Sequence, residues 1–139
     1  SGKGDVTLEL EGKNELTGGS GDRGNQNRRA NGICVIEGIG QYGESLPAGK
    51  LTIQGKEGSS LSATGGSGTK NGGDGISAFE LELVDATVTA TGGAGGGSGV
   101  YIANSDGLNI KNSKLTAKGG GQLHPGEDTS TGGGTGIMS

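Results

Sequence analysis

The sequence predicts an all-β fold in which short parallel strands coil into a β-helix of about four rungs. Three observations lead to this prediction. Short segments that alternate apolar and polar residues recur along the chain, and such alternation is typical of strands with one buried face. The segments group into four copies of one pattern, with three segments in each copy, which indicates a solenoid. A pair of glycines also returns at one fixed place in each copy and indicates a turn.

Each copy supplies one strand to each of three predicted sheets. The first strands cover residues 6–8, 51–53, 81–83 and 108–110; the second cover 16–18, 61–63, 88–90 and 115–117; the third cover 32–35, 75–78, 99–102 and 136–139. In the second sheet this alignment puts Leu16 in one inward column with Leu61, Val88 and Leu115. No stretch has apolar residues at helical spacing, so no helix is predicted.

The outward positions of the second sheet carry many hydroxyl groups. The alignment predicts two columns, namely Thr17, Ser62, Thr89 and Thr116, and beside them Gly19, Thr64, Thr91 and Lys118. Regular hydroxyl columns resemble the flat faces of ice-binding β-helices. The ordinary preference of Thr for exposed strand positions explains the columns as well.

The glycine pairs begin at Gly18, Gly65, Gly92 and Gly119. Because glycine adopts positive φ without steric cost, we expect these corners to be turns that require it. Loops of unequal length follow the pairs, at residues 20–31, 67–74, 94–98 and 122–135. Insertions at one corner of a solenoid project from one edge, so this edge is the predicted functional surface.

The composition limits the classes of function. The chain has 35 glycines in 139 residues, a formal net charge of −4 and one cysteine. An acidic chain with few basic residues has no general phosphate-binding field, so we expect no nucleic-acid partner. No apolar run approaches the roughly 18 residues of a membrane-spanning helix, so we expect no membrane insertion. A single cysteine excludes an internal disulfide framework.

We expect linker residues at 1–4 and a single domain over residues 5–139. The fourth copy is still running as a strand at Ser139, and the ends of a solenoid need caps or partners. The sequence is therefore expected to be a fragment of a longer protein, or to pair with something through its open end.

Three segments carry a resemblance to a known group of proteins. Residues 5–12, 49–55 and 61–66 resemble repeats of bacterial extracellular β-helix proteins, which occur on the surface of Gram-positive gut and cellulolytic bacteria and are often labelled carbohydrate-binding domains. The resemblance covers residues 5–139. The wider group is similar to the pectate-lyase-like right-handed β-helix, whose members bind or cleave polysaccharides, sometimes with calcium. The resemblance implies a right-handed coil, a secreted or cell-surface location and a carbohydrate partner.

The candidate ligand-binding residues lie mainly in the first two loops. Arg23, Arg28 and Arg29 form a basic cluster in an acidic chain. The planar guanidinium group suits the carboxylates of uronic acids or sialylated glycans. Alternatively, these arginines belong to a solvated loop and pair with nearby acids. Polar residues of the second loop and two tyrosines able to stack on sugar rings complete the set: Lys70, Asn71, Asp74, Tyr42 and Tyr101.

Calcium is the only cofactor suggested by the sequence. Calcium prefers oxygen ligands, and weak candidates in the loops and in a short return are Asp22, Asn25, Asp74 and Asp106. The GGxGxD repeat of calcium-binding β-rolls is not present, because its Asp position holds Arg23, Lys70 and Gly97. The alternative role of these Asx residues is to form turns.

The sequence gives little support for catalysis. His124 is the only histidine, no G-x-S-x-G motif occurs, and the acids Glu127 and Asp128 are adjacent rather than placed across a cleft. We therefore predict a non-catalytic module that recognises a poly- or oligosaccharide through the loop edge. The first alternative is a structural or adhesin spacer that self-associates through open rung ends. The second is a polysaccharide lyase-like enzyme.

Overall fold

The computed structural model describes residues 4–19, 30–35, 49–68, 72–121 and 135–138. These residues form twelve strands and no helix. In chain order the strands are β1 (Val6–Leu10), β2 (Lys13–Thr17), β3 (Ile33–Val35), β4 (Lys50–Gly55), β5 (Ser60–Thr64), β6 (Ile76–Ala78), β7 (Glu80–Val84), β8 (Thr87–Thr91), β9 (Val100–Ile102), β10 (Leu108–Lys111), β11 (Lys114–Lys118) and β12 (Ile137–Met138).

The strands form three parallel sheets of four strands each. The first sheet has the order β1-β4-β7-β10, the second β2-β5-β8-β11, and the third β3-β6-β9-β12. Every sheet therefore takes one strand from each sequence copy, and we call three consecutive strands a rung. The all-β prediction and the division into four copies of three strands are confirmed. The arrangement is consistent with a parallel β-helix-like solenoid.

The core consists of apolar columns that run from rung to rung. In the first sheet Leu51 lies beside Leu81, and Ile53 beside Leu83, and all four side chains are buried. The columns of the second and third sheets add further buried residues, which include Leu61, Ala63, Ile76, Ala78, Val88, Ala90, Val100 and Ile102. Because a fully buried aliphatic side chain contributes roughly 1.5–3 kcal/mol, short strands with few apolar residues suffice for a narrow core.

The register of β2 differs from the sequence alignment. Asn14 pairs with Leu61, and Leu16 pairs with Ala63, so the predicted match of Leu16 with Leu61 is wrong by two residues. The Asn14 side-chain amide donates hydrogen bonds to the carbonyl oxygens of Glu11 at 3.2 Å and Ser60 at 3.3 Å. These bonds allow a polar residue to occupy the end of an apolar column.

The same shift changes the hydroxyl columns. Thr17 pairs with Thr64, which in turn pairs with Thr91, whereas Glu15 pairs with Ser62. Lys118 pairs with Thr91. Charged side chains therefore lie at an end of both columns, and the hydroxyl surface is interrupted at the first and last rungs.

The first corner, between the first and second sheets, contains one left-handed residue per rung. These residues are Gly12, Gly58, Asp85 and Asn112, with φ between 45° and 75°. Glycine adopts this conformation freely, and Asn and Asp are the side chains that tolerate it best. Gly95 and Gly96 in the third loop also have positive φ, at 98° and 94°, whereas the described residues of the glycine pairs do not.

Candidate functional site

The predicted functional edge lies at the second corner, between the second and third sheets, where the loops leave the sheets. None of the described residues of the glycine pairs has positive φ, so the turn explanation for these glycines is wrong. Their role is to permit close contact. An added Cβ would lie 2.0 Å from the Gly19 carbonyl oxygen at Gly66, 2.1 Å from that of Gly66 at Gly93, and 1.9 Å from that of Gly93 at Gly120.

A chain of backbone hydrogen bonds joins the loop bases along this corner. The amide of Gly66 donates to the carbonyl of Ala30 at 2.7 Å, Gly73 donates to Gly66 at 2.8 Å, and Gly93 donates to Gly73 at 2.8 Å. The bonds from Gly97 to Gly93 at 3.1 Å and from Gly120 to Gly97 at 2.7 Å continue it. The chain includes residues of all four rungs, and it joins both ends of the second and third loops to one end of the first and of the fourth loop.

The second and third loops are also bonded to each other. Gly68 donates to the Ala94 carbonyl at 3.0 Å, and Gly72 donates to the Gly95 carbonyl at 3.0 Å. The Gly95 amide donates to Gly121 of the last rung at 2.9 Å. Because most of these residues are glycines, the described part of the edge consists largely of main chain. The amides of Gly66, Gly73, Gly93 and Gly97 are donors within this network, and these four residues are buried.

A polar ladder supports the loop edge, and its two middle members, Asp74 and Ser98, are buried. Asn31 Oδ1 accepts a hydrogen bond from the Asp74 amide at 2.8 Å, and Asp74 Oδ1 accepts one from the Ser98 amide at 2.8 Å. The Ser98 and Thr135 hydroxyls share a hydrogen bond of 3.3 Å. Each rung contributes one polar residue to the ladder. This residue always directly precedes a glycine, namely Gly32, Gly75, Gly99 or Gly136.

The sequence carries a signal for this ladder, although the chemistry of the single residues does not reveal it. Each copy has a polar residue, then glycine, then Ile or Val at the start of the third strand. Asp74 is 2% exposed and lies within the ladder, so its carboxylate forms part of the scaffold beneath the loops.

The structure describes only some of the predicted site residues. Tyr101 lies in β9 between the buried residues Val100 and Ile102 and is half-buried. Asp106 lies in the return between β9 and β10, where its amide donates to Asn104 Oδ1 at 3.3 Å. The remaining predicted residues lie outside the described residues: Asp22, Arg23, Asn25, Arg28, Arg29, Tyr42, Lys70 and Asn71.

The two described calcium candidates are not brought together. Asp74 lies at the second corner, and Asp106 lies at the third corner, between the third and first sheets. Within the described ranges, no group of three or more His, Cys, Asp or Glu side chains is arranged to hold a metal ion.

The outer face of the first sheet carries ion pairs that connect rungs. Glu82 lies between two lysines, with Oε2 2.9 Å from Lys50 Nζ and Oε1 2.5 Å from Lys111 Nζ. The hydrogen bonds from Lys111 and Lys50 lower the pKa of Glu82 to about 2. Glu11 of the first rung pairs with Lys56 of the second, which lowers the pKa of Glu11 and raises that of Lys56.

The fold and the edge define the class of this protein as an all-β chain of parallel strands in three sheets, with loops at one corner. No protein-family model, curated protein or solved structure matches the chain. None of the described segments forms a helix long and apolar enough to cross a membrane.

Proposed function

We propose that the chain is a right-handed parallel β-helix that acts as a non-catalytic glycan-binding module of an extracellular bacterial protein. One observation carries this proposal: the glycine hydrogen-bond chain holds the bases of unequal loops side by side at the second corner. Ligand-binding residues are commonly carried on loops that a rigid scaffold positions. Poly- or oligosaccharides are long ligands, and a row of loops along one edge matches their shape.

The chemistry of the edge suits an acidic sugar. The first loop carries Arg23, Arg28 and Arg29, whose guanidinium groups form paired hydrogen bonds with carboxylates. Tyr101 of β9, which follows the third loop, and Tyr42 are the stacking residues of the proposal. Lys70 and Asn71 in the second loop complete the polar set.

Binding is proposed rather than bond cleavage because the sequence lacks a plausible acid and base pair. Glycoside hydrolysis requires two carboxyl groups held on opposite sides of a bond. The adjacent acids Glu127 and Asp128 do not meet this requirement. Exposure of the protein to polyuronides, with the absorbance of unsaturated products as readout, tests the lyase alternative directly.

The experiment that tests the proposal compares acidic and neutral polysaccharides by glycan array and titration calorimetry, with and without calcium. Arg28→Ala/Arg29→Ala is expected to weaken binding of acidic glycans at least about tenfold, because it removes two charged hydrogen-bonding groups. Lys13→Ala/Lys114→Ala is the matched control, since it removes the same charge beside the first corner. The proposal is overturned if no glycan binds, or if both double variants lose binding equally.

A further inference from the structure

The two ends of the stack of rungs have unpaired strand edges within the described residues. β1, β2 and β3 form the outer edge of the first rung, and β10, β11 and β12 form that of the last. Each edge presents backbone amides and carbonyls in the geometry that a further parallel strand would use. Because three sheets end together, a matching partner must offer three parallel strands at once.

Both ends also expose side chains of the apolar columns. At the first rung an apolar hollow of about 430 Å³ is lined by Val6, Leu8, Leu16, Ile33 and Val35 among others. Leu16 is 41% exposed there, and at the last rung Ile110 and Ile137 are 44% and 48% exposed. These residues belong to the same columns that are fully buried in the middle rungs, so each end lacks the neighbour that covers a middle rung.

The register within the chain predicts how the ends of two copies meet. Leu8, Ile53, Leu83 and Ile110 form one column, so another rung added in the same register places Leu8 of a second copy beside Ile110. In the second sheet Leu16 would meet Ala117, and in the third Ile33 would meet Ile137. The larger Leu16 side chain thus faces a small residue, which suits close packing.

The first two strands of the first rung and the first two strands of the last rung carry opposite charge. Residues 6–17 of the first rung include three Glu and one Lys, whereas residues 108–118 of the last rung include three Lys and no acid. In the same register Glu9 of one copy lies opposite Lys111 of the next. Glu15 lies opposite Thr116, with Lys114 and Lys118 at the diagonal positions. Opposite charges on neighbouring strands stabilise a pairing, and only Lys13 opposite Lys114 opposes it.

We propose that the first rung of one molecule binds the last rung of a second molecule of this chain, head to tail, by parallel strand addition in all three sheets. The contact uses two different surfaces, so it leaves a free end on each side and extends into linear assemblies. The proposal is independent of glycan binding, because it uses the rung ends and not the loop edge.

The test is sedimentation velocity of the full chain over about a 100-fold range of concentration, at low and high salt. Wild-type protein is expected to sediment as a series of linear oligomers that grow with concentration and dissociate in salt. Glu9→Lys alone and Lys111→Glu alone are each expected to raise the dissociation constant at least about tenfold, since each places like charges opposite one another. An equimolar mixture of the two variants is expected to restore assembly, because each contact between one variant and the other again joins opposite charges.

Two controls separate this contact from effects on folding. Glu57→Lys makes the same charge change as Glu9→Lys, but in an exposed turn of the second rung, and is expected to assemble like wild type. Glu82→Gln removes the internal partner of Lys111 and leaves both ends intact. A wild-type chain that stays monomeric at every concentration overturns the proposal. A mixture of the two variants that fails to assemble overturns it as well. Assembly that is weakened by Glu9→Lys but not by Lys111→Glu also overturns the proposal, because that result would indicate that like ends pair.

Discussion

Asp74 shows how a single polar side chain serves the scaffold beneath the loops. Its carboxylate is buried at 2% exposure and accepts the Ser98 amide, while its own amide donates to Asn31. Polar groups in such a position stabilise the fold only while they remain hydrogen-bonded, since an unsatisfied buried donor is costly. Asp74, which the sequence predicts as a ligand-binding residue of the second loop, therefore has a structural role.

We expect Asp74→Ala to lower the free energy of unfolding by about 2 to 3 kcal/mol, because it leaves the buried Ser98 amide without its acceptor. Asp74→Asn keeps an oxygen at that position, so its loss of unfolding free energy is expected to be about 1 kcal/mol smaller than that of Asp74→Ala. Urea unfolding followed by circular dichroism measures both values. Equal stability of the two variants would contradict a role for the Asp74 carboxylate oxygen as acceptor.

Glu82 predicts a specific dependence of stability on pH. Its pKa falls from the ordinary value of 4.5 to about 2 on folding, because Lys111 and Lys50 bond to the ionised form. The stabilising contribution is therefore complete above pH 4.5 and is lost as the pH falls through about 2. Glu82→Gln should be less stable than wild type at neutral pH, with a difference that disappears in strong acid.

Thermal unfolding of wild type and Glu82→Gln from neutral pH to strong acid measures this difference. In a background of Lys50→Ala/Lys111→Ala both partners are absent, and Glu82→Gln should then cause no comparable acid-dependent difference. A difference between wild type and Glu82→Gln that is constant over the whole range would contradict the assigned cause.

At the scale of the strand and corner, two corners use small or Asx residues for different reasons. The first corner needs left-handed backbone at Gly12, Gly58, Asp85 and Asn112. The second corner needs the absence of a side chain, because neighbouring rungs approach within van der Waals contact there. Glycine periodicity in the sequence locates the second corner, but it does not locate the first, where Asp85 and Asn112 occupy two of the four positions.

Gly66 and Gly19 provide a matched pair for testing this requirement. A Cβ at Gly66 would lie 2.0 Å from the Gly19 carbonyl oxygen, whereas a Cβ at Gly19 would meet nothing within 4 Å. We expect Gly66→Ala to cost about 3 kcal/mol or more, since backbone must move, and Gly19→Ala to change stability by no more than about 0.5 kcal/mol. Chemical unfolding measures both, and similar losses in the two variants would contradict the close-contact explanation.

Much of the element order could be predicted from the sequence, and the exceptions have physical causes. The alternation of apolar residues located the strands because each buries one face. The register of β2 was missed because Asn14 occupies an inward position that alternation assigns to an apolar residue, and its partners are backbone carbonyls. The Asn31, Asp74, Ser98 and Thr135 ladder was missed because hydrogen bonds between rungs link residues 24 to 43 positions apart.

At the scale of the whole molecule, protection from solvent varies along the stack. The inward-facing apolar residues of the second and third rungs are buried, but Leu16 in the first rung and Ile110 and Ile137 in the last are each more than 40% exposed. In an array whose units contact only their neighbours, each rung depends on the rungs beside it. Among the described strands, the first and last rungs therefore have one neighbouring rung and the middle rungs have two.

We expect amide hydrogen exchange to be slowest in β4, β5, β7 and β8 and faster in β1, β2, β10 and β11. Mass spectrometry of peptides covering each strand measures this gradient in dilute protein. The same measurement at high protein concentration tests head-to-tail assembly, because assembly should slow amide exchange in the first and the last rung together. Uniform exchange along the stack in dilute protein would contradict the dependence on neighbours.

The hydrogen-bond chain from Ala30 to Gly120 has a practical consequence for protein engineering. Its donors and acceptors are main-chain groups, so the side chains of the residues inside a loop take no part in these hydrogen bonds. Residues 69–71 can accordingly be exchanged for an unrelated peptide, whereas Gly68 and Gly72 have to be kept, because they bond to the third loop and a Cβ at Gly72 would meet the Gly93 carbonyl oxygen. The second corner is thus a natural acceptor site for displaying foreign epitopes at the regular spacing of neighbouring strands, about 4.8 Å.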